Sequence, residues 1–391
     1  MHLLARSTAG CLAAWLIAMG SAAAAEPRAR DLGVPFEGQT GPLNAITDVR
    51  GVEVGHSTIV SGSSAGKEPV VRTGVTAVLP RGRLGPMDGV FAAWFSQNGN
   101  GEMTGTTWVD ESGLLYGPVM ITNTHSVGVV RDAVIDWALQ RYDFDQGDWW
   151  SLPVVAETWD GWLNDLNGFH VKPAHAFAAL DGARSGPVAE GNVGGGTGMI
   201  CYEFKGGIGT ASRVVKDEAG DYTVGVLVQA NFGRRGELLV AGVPVGKEIP
   251  EDPAYAALAS KREDRDLGSI IVVVATDAPL LPHQLERIAR RATMGIARTG
   301  AVAGNGSGDI FIAFSTANPG AADAKGLPAL TMLPNDRITP LFTATVHATE
   351  EAIVNALVAA RTTEGYAGHR VIELPHDRLR TVLAKYNRLQ P

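Results

Sequence analysis

The chain has 391 residues, of which 45% are hydrophobic and 19% are charged, and its 33 Lys and Arg against 41 Asp and Glu give a formal net charge of −8. This composition is typical of a globular protein that is long enough to bury a full core. The negative net charge and the lack of any run of Lys and Arg in the sequence argue against nucleic acid as a partner, because phosphate binding requires a concentrated basic face.

The first 25 residues have the pattern of a secretory signal peptide. Arg6 provides a positive charge, residues 12–19 form an apolar run that is too short to span a bilayer, and residues 23–25 form a small-residue cleavage site. We therefore expect cleavage after Ala25, a periplasmic or secreted location and no membrane partner. Only Cys201 would remain in the mature chain, which excludes an intrachain disulfide and a cysteine-based zinc site.

Apolar runs rich in β-branched residues recur along the mature chain and predict buried strands. They cover residues 74–79, 119–123, 222–229, 270–275 and 310–314. Apolar residues at helical spacing predict helices over residues 127–140 and 281–296, and a further helix near Thr349. Because strands and helices are interleaved, we predict a layered α/β architecture.

Two irregular stretches connect these elements. The charged segment from Lys247 to Asp266 is predicted to be an exposed loop or a short surface helix, and residues 318–339 are predicted to be an irregular connection. Neither stretch divides the chain into independent cores, so we expect one large domain.

Three common signatures of catalysis are incomplete or absent in the sequence. Residues 62–66 match the spacing of a hydrolase nucleophile elbow but lie in a polar Ser/Gly-rich stretch, which is typical of a loop. Residues 194–198 are rich in glycine, yet no Gly-Lys-Ser/Thr follows, as a phosphate-binding loop requires. The nine His residues form no HExxH motif and no close cluster along the sequence, so no metal or other cofactor is expected.

The strongest local signal is Ser307, which stands between glycines directly before the strand predicted over residues 310–314. One interpretation is a tight turn that leads into the strand. The other is chemical: if the bond between Gly306 and Ser307 were cut, Ser307 would carry both a hydroxyl and a free α-amine, whose intrinsic pKa is about 7.7–8.0. Such an amine serves as the general base for its own hydroxyl, so no histidine is needed.

A resemblance to the DmpA-type aminopeptidases, which are self-cleaving D-aminopeptidases and β-peptidyl aminopeptidases, begins at this motif. Residues 305–318 read Asn-Gly-Ser-Gly-Asp-Ile-Phe-Ile-Ala-Phe-Ser-Thr-Ala-Asn and resemble the processing site of that family. Other stretches that resemble the family cover nearly the whole mature chain in order. They are residues 44–49, 54–56, 190–198, 228–233, 275–280, 348–352 and 355–357.

The resemblance implies a four-layer α/β/β/α sandwich, the fold of the DmpA and ornithine acetyltransferase type. It also implies an inactive precursor that cuts itself between Gly306 and Ser307, so that residues 26–306 form a large subunit and residues 307–391 form a small subunit of the same domain. The expected enzyme is a serine-type aminopeptidase or amidase. It would release N-terminal L-, D- or β-amino acids from small peptides and amides with a free N-terminus, without a cofactor, and would form a homo-oligomer of processed heterodimers.

The resemblance also implies roles for single residues around the nucleophile Ser307. Asn231 would donate its side-chain amide to the oxyanion of the tetrahedral intermediate, although a strand-end turn residue is an alternative interpretation. Glu157 would bind the ammonium of the substrate, where the alternative is an exposed turn carboxylate. Trp159 is expected beside the substrate and stands where family members often have tyrosine.

Thr349 and Glu351 correspond to a hydroxyl residue and a glutamate that polarise the nucleophile and its amine in the family. Without the resemblance, Thr349 would be interpreted as a helix N-cap and Glu351 as an acidic residue in the first helical turn.

Two alternative functions remain open from the sequence. One is a self-cleaving acyltransferase that resembles the ornithine acetyltransferases, which ordinarily have threonine at the position of Ser307. The other is an uncleaved periplasmic binding protein, in which the glycine-rich turns only shape a ligand pocket.

Overall fold

The computed structural model describes residues 27–83, 85, 87–144, 149–256, 268–323 and 326–391. The predicted signal peptide, residues 1–25, and residues 257–266 of the charged segment lie outside the described residues.

The described strands are β1 (Glu53–Ser61), β2 (Val71–Leu79), β3 (Val90–Ser96), β4 (Leu114–Leu115), β5 (Val119–Asn123), β6 (Val154–Thr158), β7 (Ile200–Cys201), β8 (Phe204–Lys205), β9 (Gly207–Val215), β10 (Tyr222–Asn231), β11 (Ser269–Thr276), β12 (Gly308–Ser315), β13 (Thr363–Glu364) and β14 (Arg370–Val371). The described α-helices are α1 (Thr106–Ser112), α2 (Val127–Arg141), α3 (Pro173–Asp181), α4 (Val245–Glu248), α5 (Pro282–Ala289), α6 (Ala292–Arg298), α7 (Thr339–Ala359) and α8 (His376–Lys385).

Two sheets form the centre of the molecule. One has four strands in the order β1-β2-β5-β6, and the other has six strands in the order β4-β3-β12-β11-β10-β9. The β5–β6 and β11–β12 pairs are parallel, and the remaining neighbours in these two sheets are antiparallel.

The two sheets pack face to face and each is covered by helices on its outer face. Ile121 of the four-stranded sheet and Leu227 of the six-stranded sheet belong to one buried cluster between the sheets. On the outer face of the four-stranded sheet, Met120 packs with Val134 of α2. On the outer face of the six-stranded sheet, Val272 packs with residues of α5, α6 and α7 such as Ile353. These layers form the predicted four-layer α/β/β/α sandwich.

Side chains alternate between the two faces along the central strands, as extended backbone requires. In β11, Ile271 points between the sheets and Ile270 points toward the helices. In β12, Ile310 points between the sheets and Phe311 points toward the helices. This alternation determines which polar residues at the strand ends can face the space between the sheets.

The strands predicted from apolar runs are all present, with ends extended by up to three residues. The helix predicted over residues 281–296 is divided into α5 and α6, and α7 begins at Thr339, ten residues before the expected start near Thr349. Pro340 stands in the first turn of α7, where its missing N–H costs no hydrogen bond. No helix in the described part of the chain has the length and apolarity needed to cross a membrane.

The buried side chains between the sheets should contribute strongly to stability. We expect Ile271→Ala to lower the free energy of unfolding by about 2–5 kcal/mol, because the side chain is fully buried and its removal leaves a cavity. Urea denaturation followed by circular dichroism would measure the change. Val60→Ala on the exposed part of β1 is the control and should shift the value by less than about 0.5 kcal/mol; equal losses in both variants would contradict the assignment of the core.

Candidate active site

A pocket of about 320 Å³ opens where the two sheets end side by side. Its lining residues come from the segment after β3, from the ends of β5 and β6, from the start of β11 and from the turn before β12; they are Asn100, Thr124, Glu157, Trp159, Gly268, Ser269 and Gly306. The volume suits a few residues of a short peptide or a small amide.

Glu157 is the buried carboxylate of this pocket, with 3% of the residue exposed. It lies in β6, and its carboxylate accepts hydrogen bonds from the backbone N–H of Glu102 at 3.0 Å and from Thr124 Oγ1 at 2.5 Å. Burial raises the pKa of Glu157, and the hydrogen bonds from Thr124 and Glu102 oppose that rise. A cationic group that enters the pocket therefore meets a carboxylate already held in place.

Asn231 and Trp159 are joined by a hydrogen bond at the edge of the site. Asn231 Nδ2 donates to the carbonyl of Trp159 at 2.9 Å, and Asn231 Oδ1 accepts from the backbone N–H of Ile200 at 2.8 Å. An asparagine amide carries two N–H donors, so one remains for a further acceptor. Asn231 is also directly opposite Ser269 in the β10–β11 ladder, which places both residues at the same end of the sheet.

Ser307 is buried, and its Oγ donates to Asp309 Oδ1 at 2.6 Å. Asp309 lines a different cavity beside α6 with Met294, and Ser307 has the same position in the alternation as Phe311, on the helix side of the sheet. Its hydroxyl is thus bonded to a side chain that does not line the pocket of Glu157. This geometry disagrees with the prediction that Ser307 is the nucleophile, although the adjacent Gly306 does line the pocket.

Ser269 is the serine that faces the pocket, and it is not among the site residues predicted from the sequence. It is the first residue of β11 and has the same position in the alternation as Ile271, which points between the sheets. Its Oγ donates to the carbonyl of Gly268 at 2.6 Å, and the backbone N–H of Gly308 donates to the same carbonyl at 3.2 Å. The sequence held the signal: Gly268–Ser269 precedes a buried strand, as Gly306–Ser307 does.

Thr349 and Glu351 do not reach this pocket, which corrects their predicted role. Both lie in the middle of α7, and Thr349 Oγ1 donates to the carbonyl of Thr345 within the helix. Glu351 is fully buried and pairs with Arg30 and with Arg213.

The ladder shows how far this ion-pair cluster is from the site. Arg213 of β9 is opposite Val224, seven residues along β10 from Asn231, which corresponds to about 23 Å at 3.3 Å per residue. Burial alone would raise the pKa of Glu351, but the hydrogen bond from Arg30 and the charges of both arginines outweigh it and hold the pKa below its usual value. Glu351 therefore fixes α7 to β9.

Within the described residues, no group of three or more His, Cys, Asp or Glu side chains is arranged to hold a metal ion. The polar groups of the pocket include the hydroxyls of Thr124 and Ser269, the carboxylate of Glu157 and amides. This set fits acyl transfer to a serine, with a cation-binding carboxylate at one side.

Comparison with known proteins agrees with this chemistry. The model of peptidase family S58 matches residues 44–371. The chain is 56% identical over 387 residues to the beta-peptidyl aminopeptidase BapA of Sphingosinicella microcystinivorans, which covers 96% of both chains. It is 52% identical to BapA of Sphingosinicella xenopeptidilytica, over 93% of this chain and 92% of that protein.

Solved structures give the same result for the fold. The L-aminopeptidase D-Ala-esterase/amidase from Ochrobactrum anthropi, described as a variant of the Ntn hydrolase fold, superposes with a TM-score of 0.86 at 49% identity and covers 93% of this chain and 100% of that one. A beta-aminopeptidase from Burkholderia sp. has a TM-score of 0.81 at 48% identity and covers 92% and 99%. The predicted resemblance and the predicted fold class are both confirmed, and the chain belongs to peptidase family S58, as an aminopeptidase of the Ntn hydrolase type that acts on peptides and amides.

Proposed function

We propose that this aminopeptidase activates itself by cutting the bond between Gly268 and Ser269, and that Ser269, in place of the predicted Ser307, is its nucleophile. The observation that carries the proposal is the position of Ser269 Oγ, 2.6 Å from the carbonyl oxygen of Gly268 and in the same pocket as Glu157. The hydroxyl lies beside the peptide bond that it would attack.

Self-cleavage follows from this arrangement in two steps. Ser269 Oγ attacks the carbonyl carbon of Gly268, the bond from that carbon to the Ser269 nitrogen breaks, and the nitrogen takes up the proton that the hydroxyl loses. This leaves an ester between the two residues. Water then hydrolyses the ester, giving a carboxylate at Gly268 and a free α-amine and hydroxyl at Ser269. The N–H of Gly308, which already bonds the Gly268 carbonyl, would stabilise the oxyanion of the first step.

The mature reaction would reuse the same hydroxyl. The neutral α-amine of Ser269 accepts the hydroxyl proton while Oγ attacks the carbonyl that follows the first residue of the substrate. The C–N bond of that amide breaks, the shortened peptide or amine leaves with a proton, and water releases the N-terminal residue from the ester. The uncommitted N–H of Asn231 is the donor that we assign to this oxyanion.

Substrate choice is proposed to depend on Glu157 and on the length of substrate backbone that the pocket accepts. The carboxylate would bind the free ammonium of the substrate through a charge-assisted hydrogen bond. Because the relatives named above are beta-peptidyl aminopeptidases, we propose that N-terminal β-amino acids are accepted together with α-amino acids of L or D configuration. Trp159 would pack against the substrate beside Glu157.

We also propose that the enzyme is exported to the periplasm or beyond it after removal of residues 1–25, and that processed heterodimers form a homo-oligomer. The sequence pattern of residues 1–25 supports export.

The site of self-cleavage is testable by mass. A cut after Gly268 gives a small chain of 123 residues that begins Ser-Ile-Ile-Val, whereas a cut after Gly306 gives 85 residues that begin Ser-Gly-Asp-Ile. Denaturing electrophoresis, intact mass and Edman sequencing of purified protein should find the first, with a large chain that begins at Glu26.

Two matched variants distinguish the serines. Ser269→Ala should leave the chain whole, because no hydroxyl remains to start the acyl shift, while Ser307→Ala should still be cut. The reverse result would restore Ser307 as the nucleophile.

The ammonium site predicts discrimination between free and acylated substrates. A β-alanyl or alanyl p-nitroanilide should be hydrolysed, and its N-acetyl form should not. Glu157→Gln should lower kcat/KM by a factor that corresponds to about 1.5–3 kcal/mol, the value of a hydrogen bond to a charged group. Self-cleavage should continue in this variant, because the internal peptide bond carries no ammonium. Glu111→Gln, on the exposed part of α1, is the control. Equal hydrolysis of free and acetylated substrates would remove Glu157 from the binding role.

The pH profile should follow the α-amine of Ser269. Only the neutral amine accepts the hydroxyl proton, so kcat should rise with pH through the titration of that amine and then level off. Incubation with EDTA should leave the rate unchanged, because a hydroxyl and its own amine are sufficient for the reaction. Loss of activity with EDTA that zinc restores would contradict the mechanism.

A further inference from the structure

Lys205 is a fully buried cation close to the active site. It ends the short strand β8, and its Nζ donates to three backbone carbonyls, those of Gly196 at 3.2 Å, Met199 at 2.8 Å and Gly206 at 2.8 Å. An ammonium group has three N–H donors, so its hydrogen-bonding capacity is fully used. A buried charge is costly to maintain, and burial lowers the pKa of Lys205 to about 7. A neutral hydrogen-bond donor could bond the same carbonyls without the free-energy cost of burying a charge.

One of the three carbonyls leads directly to Asn231. The carbonyl of Met199 and the N–H of Ile200 belong to the same peptide unit. The carbonyl accepts from Lys205 Nζ, and the N–H donates to Asn231 Oδ1 at 2.8 Å. A positive charge at the oxygen of an amide polarises its N–H and strengthens the next hydrogen bond in the chain.

The nitrogen of the Asn231 amide is bonded to Trp159, a residue that lines the pocket. With Oδ1 held by Ile200, Nδ2 is directed to the carbonyl of Trp159, and Asn231 stands opposite Ser269 in the ladder. The hydrogen bonds thus run from Lys205 through one peptide unit to the amide beside Ser269.

We propose that Lys205 is a positioning residue of the active site: through the Met199–Ile200 peptide, its ammonium group orients and polarises the Asn231 amide, so that the remaining N–H donates to the oxyanion formed at Ser269. This inference rests on the proposed function of Ser269 and Asn231. Lys205 does not touch the substrate; it acts on a donor that does.

A purely structural role for Lys205 makes a different prediction, and Arg235 supplies the comparison. Arg235 is also buried, and its guanidinium donates to the carbonyls of Tyr202 and Glu203 in the same loop. It also donates to the carbonyls of Ile249 and Glu251, and none of these described hydrogen bonds involves the Met199–Ile200 peptide. Its removal should loosen the loop but leave the chain of hydrogen bonds to Asn231 in place.

The test is a double-mutant cycle on the processed enzyme with alanyl p-nitroanilide. Loss of a whole oxyanion donor costs about 100- to 1,000-fold in kcat, so Lys205→Met, which weakens the donor, should lower kcat about tenfold with KM unchanged. In the Asn231→Ala background the same substitution should change kcat by less than twofold. Arg235→Met should lower the melting temperature, and its effect on kcat should be the same with and without Asn231.

Three outcomes would overturn the inference: full kcat in Lys205→Met, an equal loss in the Asn231→Ala background, or unchanged kcat in Asn231→Ala itself. If Lys205→Met does not fold, Lys205→Gln keeps N–H donors without the charge and should show a smaller loss of kcat that again disappears without Asn231; a loss that persists there would count against the role. The proposed function fails separately, through an active Ser269→Ala variant.

Discussion

The register of the three central strands is the constraint on which the site depends. Asn231 at the end of β10, Ser269 at the start of β11 and Gly308 at the start of β12 form one row across the six-stranded sheet. A shift of one residue in β11 would turn Ser269 to the helix side and bring Ile270 into the space between the sheets. Packing of the two sheets forbids that shift, because it would move the whole apolar face of the strand. The hydrophobic layer therefore fixes the position of the hydroxyl.

The same constraint explains what the sequence could and could not predict. Each central strand is an apolar run that fits few structures other than a buried strand, so the strands and the layered fold were predictable. Glu157 and Asn231 were placed by resemblance, and both lie at the end of the sheets where the pocket opens.

The sequence around each serine could not show which of Ser269 and Ser307 faces the pocket. Ser269 and Ser307 each follow a glycine and precede a buried strand, and only the pairing of β11 with its neighbours shows which of the two faces the pocket. Thr349 was misplaced for a related reason, because the start of α7 at Thr339 could not be located within an irregular stretch. The charge of Glu351 is neutralised by arginines that are remote in sequence.

If the chain is cut after Gly268, as proposed, the strand order determines how the two resulting chains are held together. β11 and β12 would belong to the small chain, yet they lie between β10 and β3 of the large chain, with eight residue pairs on one side and six on the other. The two chains would share one hydrophobic core and would be unable to separate without opening the centre of the sheet. Once unfolded, however, they would be two molecules, and their reassembly would depend on concentration, whereas the precursor folds as one. The chain would thus fold once, as the precursor, before self-cleavage. The cleaved enzyme would then stay native because it unfolds slowly.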